Sequence, residues 1–322
     1  MSSLPRISAV IPTRDRAQLL RASLESLVMQ RLPARHFEVV VIDDGSTDDT
    51  AVVCDSFTQR IHLEYHRIAP SGISAAKNLG TFVASAPIVL FFDDDDVAHP
   101  DLLRQHLITH EEHPDPAVAV LGRTDWSPDL DVTDVMHYVT DVGKFLFDYT
   151  CMNHGDVLDY TFFWGGRASC KRMFLASEGV FDQAFRFGSE DIELGYRLQR
   201  HGFKVVYNEN AISHMNRPIT FAEFRARCER QGRSQYHFGV RLHGDDPEIR
   251  RYCDVDRATE RWDEVRRELD EMVARVGELE LLLGGPNQPS TDQWRHELFS
   301  LYGRVFRAER LRGIAEAATC VE

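Results

Sequence analysis

The apolar run Ala86-Pro87-Ile88-Val89-Leu90-Phe91-Phe92 stops directly on Asp93-Asp94-Asp95-Asp96. An apolar stretch of this kind asks for burial, and four adjoining carboxylates resist it. The junction therefore belongs where a buried strand reaches the edge of the protein. Like charges packed so closely repel, and partly desolvated carboxylates need a positive compensator. A divalent cation is the natural one, because Mg²⁺ and Mn²⁺ take oxygen ligands and commonly combine one or two carboxylates with substrate phosphates. If the strand pleat continues through the run, Asp93 and Asp95 point one way and Asp94 the other, offering a D-x-D pair to a metal and its nucleotide. A solvated acidic loop is the plainer alternative.

The stretch upstream has a regular alternation. Ile7 to Ile11, Phe37 to Ile42, Ile61 to His66 and Pro87 to Phe92 read as strands. Between them lie helical patterns: Leu20, Leu24, Leu27 and Val28 share one helical face, and residues 48–58 and 72–85 fill the next two gaps. Such β-α-β alternation with near-continuous apolar strands predicts an α/β fold, a mostly parallel Rossmann-like sheet flanked by helices. Ligands of such sheets bind outside the carboxyl ends of the strands. Three polar clusters fall there: Pro12-Thr13-Arg14-Asp15-Arg16, Asp43-Asp44-Gly45-Ser46-Thr47-Asp48, and the acidic run. Each alone reads as a turn or helix cap, but capping does not need an aspartate pair on one strand and a quartet on another. Neither G-x-G-x-x-G nor a Walker A motif is present, which removes most of the support for dinucleotide or P-loop binding.

Charge and composition narrow the function classes. A formal net charge of −14 lacks the basic footprint of a nucleic-acid binder, while a metal would still allow a phosphorylated ligand. The six cysteines form no C-x-x-C pair and no disulfide framework, so a cytoplasmic location is expected. Cys151 and His154 have a ligand-like interval, but no second pair completes a zinc site. The start, Met-Ser-Ser-Leu-Pro-Arg, has no signal-peptide core, and no apolar run is long enough for a transmembrane segment.

Taken in order, Ile11 to Arg16, Val41 to Asp48, Gly72-Ile73-Ser74-Ala75-Ala76-Lys77-Asn78-Leu79-Gly80, and Phe91 to Asp96 with Pro100 resemble the family 2 glycosyltransferases of the GT-A fold. Trp164-Gly165-Gly166, Gly179-Val180-Phe181-Asp182 and Gly188 to Leu198 resemble the acceptor half of the same enzymes, with a galactosyltransferase-like C-terminal segment. The likeness spans roughly residues 5–217. It implies that Pro12, Thr13, Arg14 and Asp44 lie at the base and ribose of a nucleotide sugar, with Lys77 near the same pocket. Asp93 would reach the ribose, Asp94 would share the nucleotide-sugar site, and Asp95 would ligate Mn²⁺ or Mg²⁺ bridging the diphosphate. His214, which follows a strand-like run from Lys204 to Tyr207 and a turn at Asn208-Glu209-Asn210, would complete the metal shell. Trp164, Gly165 and Gly166 would bind acceptor; Asp191 would be the general base, with Glu190 beside it holding acceptor hydroxyls. Lys77 stands where arginine is more usual, and Ser74-Ala75-Ala76 leaves that helix start with few polar side chains, so the base stays open.

Independently of the likeness, Ser189 is placed to cap a helix that begins near Glu190, and Asp191 then sits in its first turn, where the dipole favours a carboxylate. The last third changes character. Trp262, Val265, Leu269, Met272, Val276, Leu279 and Leu283 form an apolar seam at intervals of three and four, broken by Gly284-Gly285-Pro286. Leu298, Tyr302 and Val305 mark a second helix. An αα-hairpin within the chain and a homodimer interface are the two readings. The expected organisation is a catalytic domain over 1–220 and a helical extension over 221–322. The expected activity is metal-dependent transfer of a sugar, UDP-linked first among the donors, to a hydroxyl of a saccharide, lipid-linked sugar or small molecule. Inversion is expected. Retaining transfer, or nucleotide-sugar binding without turnover, is the alternative.

Overall fold

The computed structural model describes residues 5–284 and 292–320. Its strands are β1 (Ile7–Thr13), β2 (Phe37–Asp43), β3 (Leu63–Arg67), β4 (Ile88–Phe91), β5 (Asp96–Ala98), β6 (Val118–Trp126), β7 (Val157–Leu158), β8 (Ala168–Lys171) and β9 (Lys204–Met215). The helices are α1 (Ala17–Val28), α2 (Thr50–Asp55), α3 (Ile73–Val83), α4 (Leu102–Glu112), α5 (Asp134–His137), α6 (Arg172–Glu178), α7 (Glu190–Leu198), α8 (Phe221–Tyr236), α9 (Pro247–Tyr252), α10 (Ala258–Val265), α11 (Leu269–Leu283) and α12 (Asp292–Thr319).

The chain divides into two units. The first comprises residues up to Asp131 together with Tyr149–Arg217. It holds every strand among the described residues, in the order β3-β2-β1-β4-β8-β6-β9-β5, with β7 on β9. The four strands read from the alternation form its parallel half, β3-β2-β1-β4. Beyond β4 the direction changes, because β8 runs antiparallel to both β4 and β6, while β6 and β9 are parallel. Both faces of β1 and β2 are buried, as continuous apolar runs require. Leu20, Leu24 and Leu27 of α1 lie in the core with Ile7, Ile11, Val39 and Val41. The strand expected at Lys204–Tyr207 runs on to Met215. The expected turn at Asn208–Asn210 is an irregularity within β9, where Gly122 pairs Asn208 but Arg123 pairs Ile212.

The second unit comprises Val132–Asp148 and the chain from Pro218 onward. The short segment 132–148, which no sequence signal sets apart, belongs to it and contributes Tyr138 and Phe145 to an aromatic cluster with Phe224, Tyr302 and Phe306. Thr220 and Glu223 close a reciprocal capping box at the start of α8. Leu269, Met272, Val276, Leu279 and Leu283 of the seam are all buried within this one chain, and α11 packs on α12. The Tyr302 hydroxyl donates to Glu280 Oε1 at 2.6 Å, tying the two helices together. The seam residues thus face inward and α11 lies against α12. Gly284 ends α11, and the rest of the expected breaker, Gly285-Pro286, lies outside the described residues.

This packing has a direct consequence. Leu279→Asp buries a charge where no partner is provided, so it should destabilise the second unit by roughly 3 kcal/mol or more. Urea unfolding would measure the loss. Light scattering at micromolar concentration should give one mass for wild type and variant alike; a wild-type dimer that the variant dissociates would instead put the seam between chains.

Candidate active site

Four loops at the carboxyl ends of β1, β2, β3 and β4 meet the starts of α3 and α7. β4 ends at Phe91 and the chain turns, so Asp93, Asp94 and Asp95 do not continue the pleat, and β5 begins at Asp96. The two-sided D-x-D geometry expected from strand alternation is replaced by a turn in which each carboxylate faces its own partners. Thr13 Oγ1 donates to Asp94 at 2.7 Å, and Arg16 donates to Asp94 at 2.8 Å and to Asp95 at 3.3 Å. Arg217 Nε reaches the same oxygen of Asp95 at 3.1 Å. Arg167, buried at the start of β8, donates to Asp93 at 3.3 Å and lies 3.8 Å from Asp96. Ser213 donates to Asp96 at 2.8 Å. Three arginines thus compensate four carboxylates. Burial dominates the two innermost acids, pushing Asp94 up to about 6 and Asp96 up to about 7 against the opposing pull of Arg16 and Arg167.

The β2 loop is more self-contained than its motif suggests. Asp43 accepts from the Ser46 amide at 2.7 Å. Asp44 accepts from the amides of Ser71 and Gly72, fixing the turn into α3, and Arg14 stands 3.9 Å away, half-exposed. Pro12 and Thr13 lie within β1 itself, in register with Ile42 and Asp43.

The α7 start is built differently from expectation. Ser189 sits in the left-handed region at φ 65° and makes no side-chain cap. Asp191 accepts instead from its neighbour Ile192 N at 2.8 Å and from Gly165 N at 2.8 Å. The Trp164-Gly165-Gly166 segment therefore runs alongside Asp191, and its glycines are required by contact. A Cβ on Gly165 would lie 2.8 Å from Lys77 Nζ and 3.1 Å from Asp191 Cβ, and one on Gly166 would lie 2.0 Å from Asp93 Oδ2. Trp164 donates its indole N–H to Thr161 O at 3.0 Å and packs edge-on against Tyr149. Asp191 is driven up to about 6, first by burial and then by Glu190 beside it, with Lys77 and the two amides opposing. Glu190 is buried and accepts from Lys77 Nζ at 2.8 Å.

His214 lies on β9, in register with Val97 and Asp125. Its neighbour Ser213 faces Asp96, so His214 projects from the opposite face of the strand. Burial lowers its proton affinity, and its Nδ1 is buried without a hydrogen-bond partner. A neutral imidazole and an ionisable carboxylate are the donor types that Mn²⁺ or Mg²⁺ accept. Among the described residues, the one group of three carboxylate or imidazole ligands whose atoms lie within 4.8 Å of each other is Glu38, His62 and Glu64. Glu38 there is already occupied by Ser8, Ser85 and Ala86. The charged neighbours of His214 are Asp125, His99 and Arg123, whereas Asp95 is held by Arg16 and Arg217, so the two expected metal ligands have different neighbours, and a cation on Asp95 would draw its remaining oxygens from substrate and water.

Sequence reasoning missed Arg16 and Arg167 as partners of the acidic turn, and Arg217 reads in sequence only as the start of a basic stretch, Arg217 to Arg233, facing diphosphate or acceptor. Arg16 stood within a motif already quoted, but Arg167 and Arg217 become neighbours of Asp93 and Asp95 only through sheet pairing.

Comparison with known proteins gives one family and, among others, two relatives and two solved structures. The family model described as Glycosyl transferase family 2 matches residues 8–174. A validoxylamine A glucosyltransferase of Streptomyces hygroscopicus subsp. jinggangensis is 31% identical over 243 residues, covering 65% of this chain and 55% of that protein; the matched region is thus about half the length of the relative. A chondroitin synthase of Pasteurella multocida is 26% identical over 232 residues, 62% of this chain and 24% of that one. Among solved structures, a Pyrobaculum calidifontis mannosyltransferase in complex with GDP-Man and Mn²⁺ superimposes with a TM-score of 0.59 at 18% identity, covering 94% of this chain and 86% of that one. S. aureus TarS 1-349 in complex with UDP gives 0.55 at 15% identity, with 93% and 90% covered.

Proposed function

Because the chain belongs to glycosyl transferase family 2 and has the GT-A architecture, we propose that it transfers a sugar from a nucleotide-diphosphate sugar to an acceptor hydroxyl, with inversion and with Asp191 as general base. The observation that carries this reading is the state of Asp191. It is a half-buried carboxylate, oriented by two backbone amides, whose proton affinity is raised to about 6. A base should have a pKa near the working pH, so that it is ionised yet basic enough to take a proton in the transition state. An ordinary exposed aspartate would be too weak, and burial at this helix start supplies the correction.

The donor enters over the carboxyl ends of β1, β2 and β4. Pro12, Thr13, Arg14 and Asp44 line the base and ribose side; Asp93 and Asp94 lie at the sugar–ribose end. Trp164, Gly165 and Gly166 flank the acceptor, whose hydroxyl loses its proton to Asp191 as the anomeric carbon is attacked. Asp95 and His214 would hold a divalent cation. When bound, that ion would neutralise charge on the leaving diphosphate. Arg16 and Arg217, already on Asp95, lie close enough to share that work. UDP is the first nucleotide to test, and glucose the first sugar, since the 31% relative is named a glucosyltransferase. The acceptor is a hydroxyl of a saccharide, a lipid-linked sugar or a small molecule.

A thermal-shift series with UDP, GDP and their sugars, with and without Mn²⁺, tests the donor reading. The right pair should raise the melting temperature, and hydrolysis or transfer of its sugar should follow. Asp95→Asn should remove the metal-dependent part of nucleotide binding in calorimetry while the melting curve without ligand stays near wild type. Metal-dependent affinity that survives this change would take Asp95 out of the metal site.

A further inference from the structure

Lys77 and Glu190 are placed where the family likeness would have them touch nucleotide and acceptor, yet both are almost fully buried. Their side chains retain 2% and 6% exposure. The Lys77 ammonium sits among the rings of Phe91 and Phe181, 6.0 Å and 5.2 Å from their centroids, and donates to Glu190 at 2.8 Å. Gly165 brings this pair to the base. The same absent Cβ would collide with Lys77 Nζ on one side and with Asp191 on the other, so ammonium and base carboxylate flank a single backbone position.

We infer that Lys77 and Glu190 are positioning residues that act on Asp191, setting how readily the base takes its proton, rather than contacting donor or acceptor. This rests on the reading of Asp191 as base. The groups that face Asp191 are few: Glu190 from its own helix, Lys77 from α3 with Asp93 across from it, and only backbone from the 164–166 segment. Glu190 and Asp191 share the one ammonium of Lys77, while Asp93 across from it is held by Arg167, so the arriving proton meets negative charge that Lys77 alone does not offset. Uptake of the acceptor proton is therefore favoured without leaving Asp191 protonated at rest. Lys77 is spent on Glu190 rather than on Asp191. Were it paired directly with Asp191, it would make the base too weak; were it absent, two carboxylates would compete for one proton. The usual arginine at position 77 would present a planar fork instead of a point charge, a difference that matters most in a buried pair.

The test is the pH dependence of single-turnover transfer in the full-length protein, with acceptor KM determined at each pH. Rate should fall on the acid side as Asp191 protonates. Glu190→Gln removes the like charge and frees Lys77 to face Asp191, so the acid limb should move down by about one pH unit or more, with acceptor KM within about twofold of wild type. Lys77→Met should move the limb up by a similar amount. The double variant should lie nearer wild type than either single one, because both charges are then gone. Should Lys77→Met fail to fold, as a melting curve would show, Glu190→Gln decides alone. An unmoved limb with a tenfold rise in acceptor KM in Glu190→Gln would return Glu190 to the acceptor and overturn the inference. Failure of the base assignment itself would look different, since Asp191→Asn would then keep its activity and its acid limb.

Discussion

Asp191→Asn should lower kcat by roughly 10²–10⁴, the usual contribution of general acid–base catalysis, while donor binding stays nearly unchanged. The amide keeps the size of the side chain, and its oxygen still accepts from Gly165 N or Ile192 N, so the 164–166 segment should hold its place. What it loses is the capacity to accept the acceptor's proton. It also removes a half-buried charge beside Glu190, so the variant should fold at least as stably as wild type at neutral pH, which separates loss of chemistry from loss of structure. Single-turnover rates and NMR of the product's anomeric proton belong in one experiment. A fully active variant would end the role of Asp191 as base, and a product that keeps the donor's anomeric configuration would favour retaining transfer.

The contrast between what could and could not be read from the sequence follows from the range of the interactions. β1, β2 and β4 were legible because strands buried on both faces leave continuous apolar runs, and their ends were legible because turn and charge residues follow at once. The buried seam Leu269 to Leu283 was legible as a helix face, but not its partner, since periodicity reports that a face is covered and not by what. The direction of β8 left no trace, because it depends on pairing across more than fifty residues, whereas the irregularity within β9 showed only as a turn at Asn208–Asn210. In the site, the carboxylates announced themselves and their compensators did not. Arg217 is one of many arginines in the C-terminal half, and only the pairing of β9 with β5 brings that chain end beside Asp95. Ser189 shows the opposite failure: a good capping residue type occupies the position, but the backbone there is left-handed and the cap is not made.

Two histidines that no motif singled out should govern the response of the fold to acid. His106 and His110, one turn apart on α4, are buried and both contact the Ser169 hydroxyl at 2.8 Å, His106 through Nδ1 and His110 through Nε2. The hydroxyl can donate to one ring and accept from the other, or accept from both, so two neutral imidazoles satisfy the arrangement. Burial pushes His106 down to about 3 and His110 down to about 2. The unfolded chain therefore binds protons that the native state refuses, and native stability is lost as pH falls below about 6.5, the unfolded value. At pH 5 each ring would cost about 2 kcal/mol relative to pH 8, at about 1.4 kcal/mol per unit. Asp94, Asp96 and Asp191 have the opposite sign. Their raised proton affinities weaken the fold above about pH 7, and this is relieved as pH falls toward the unfolded carboxylate value, so wild type alone would show only the difference. The informative measurement is a comparison. A His106→Gln, His110→Gln double variant keeps neutral amides at both positions but cannot be charged, so whatever it loses at pH 8, it should recover about 4 kcal/mol of that relative to wild type by pH 5. Urea unfolding of the two proteins across that range reads the effect directly. Parallel curves, with the same gap at every pH, would mean that these histidines do not titrate on unfolding and that the acid response lies with the carboxylates alone.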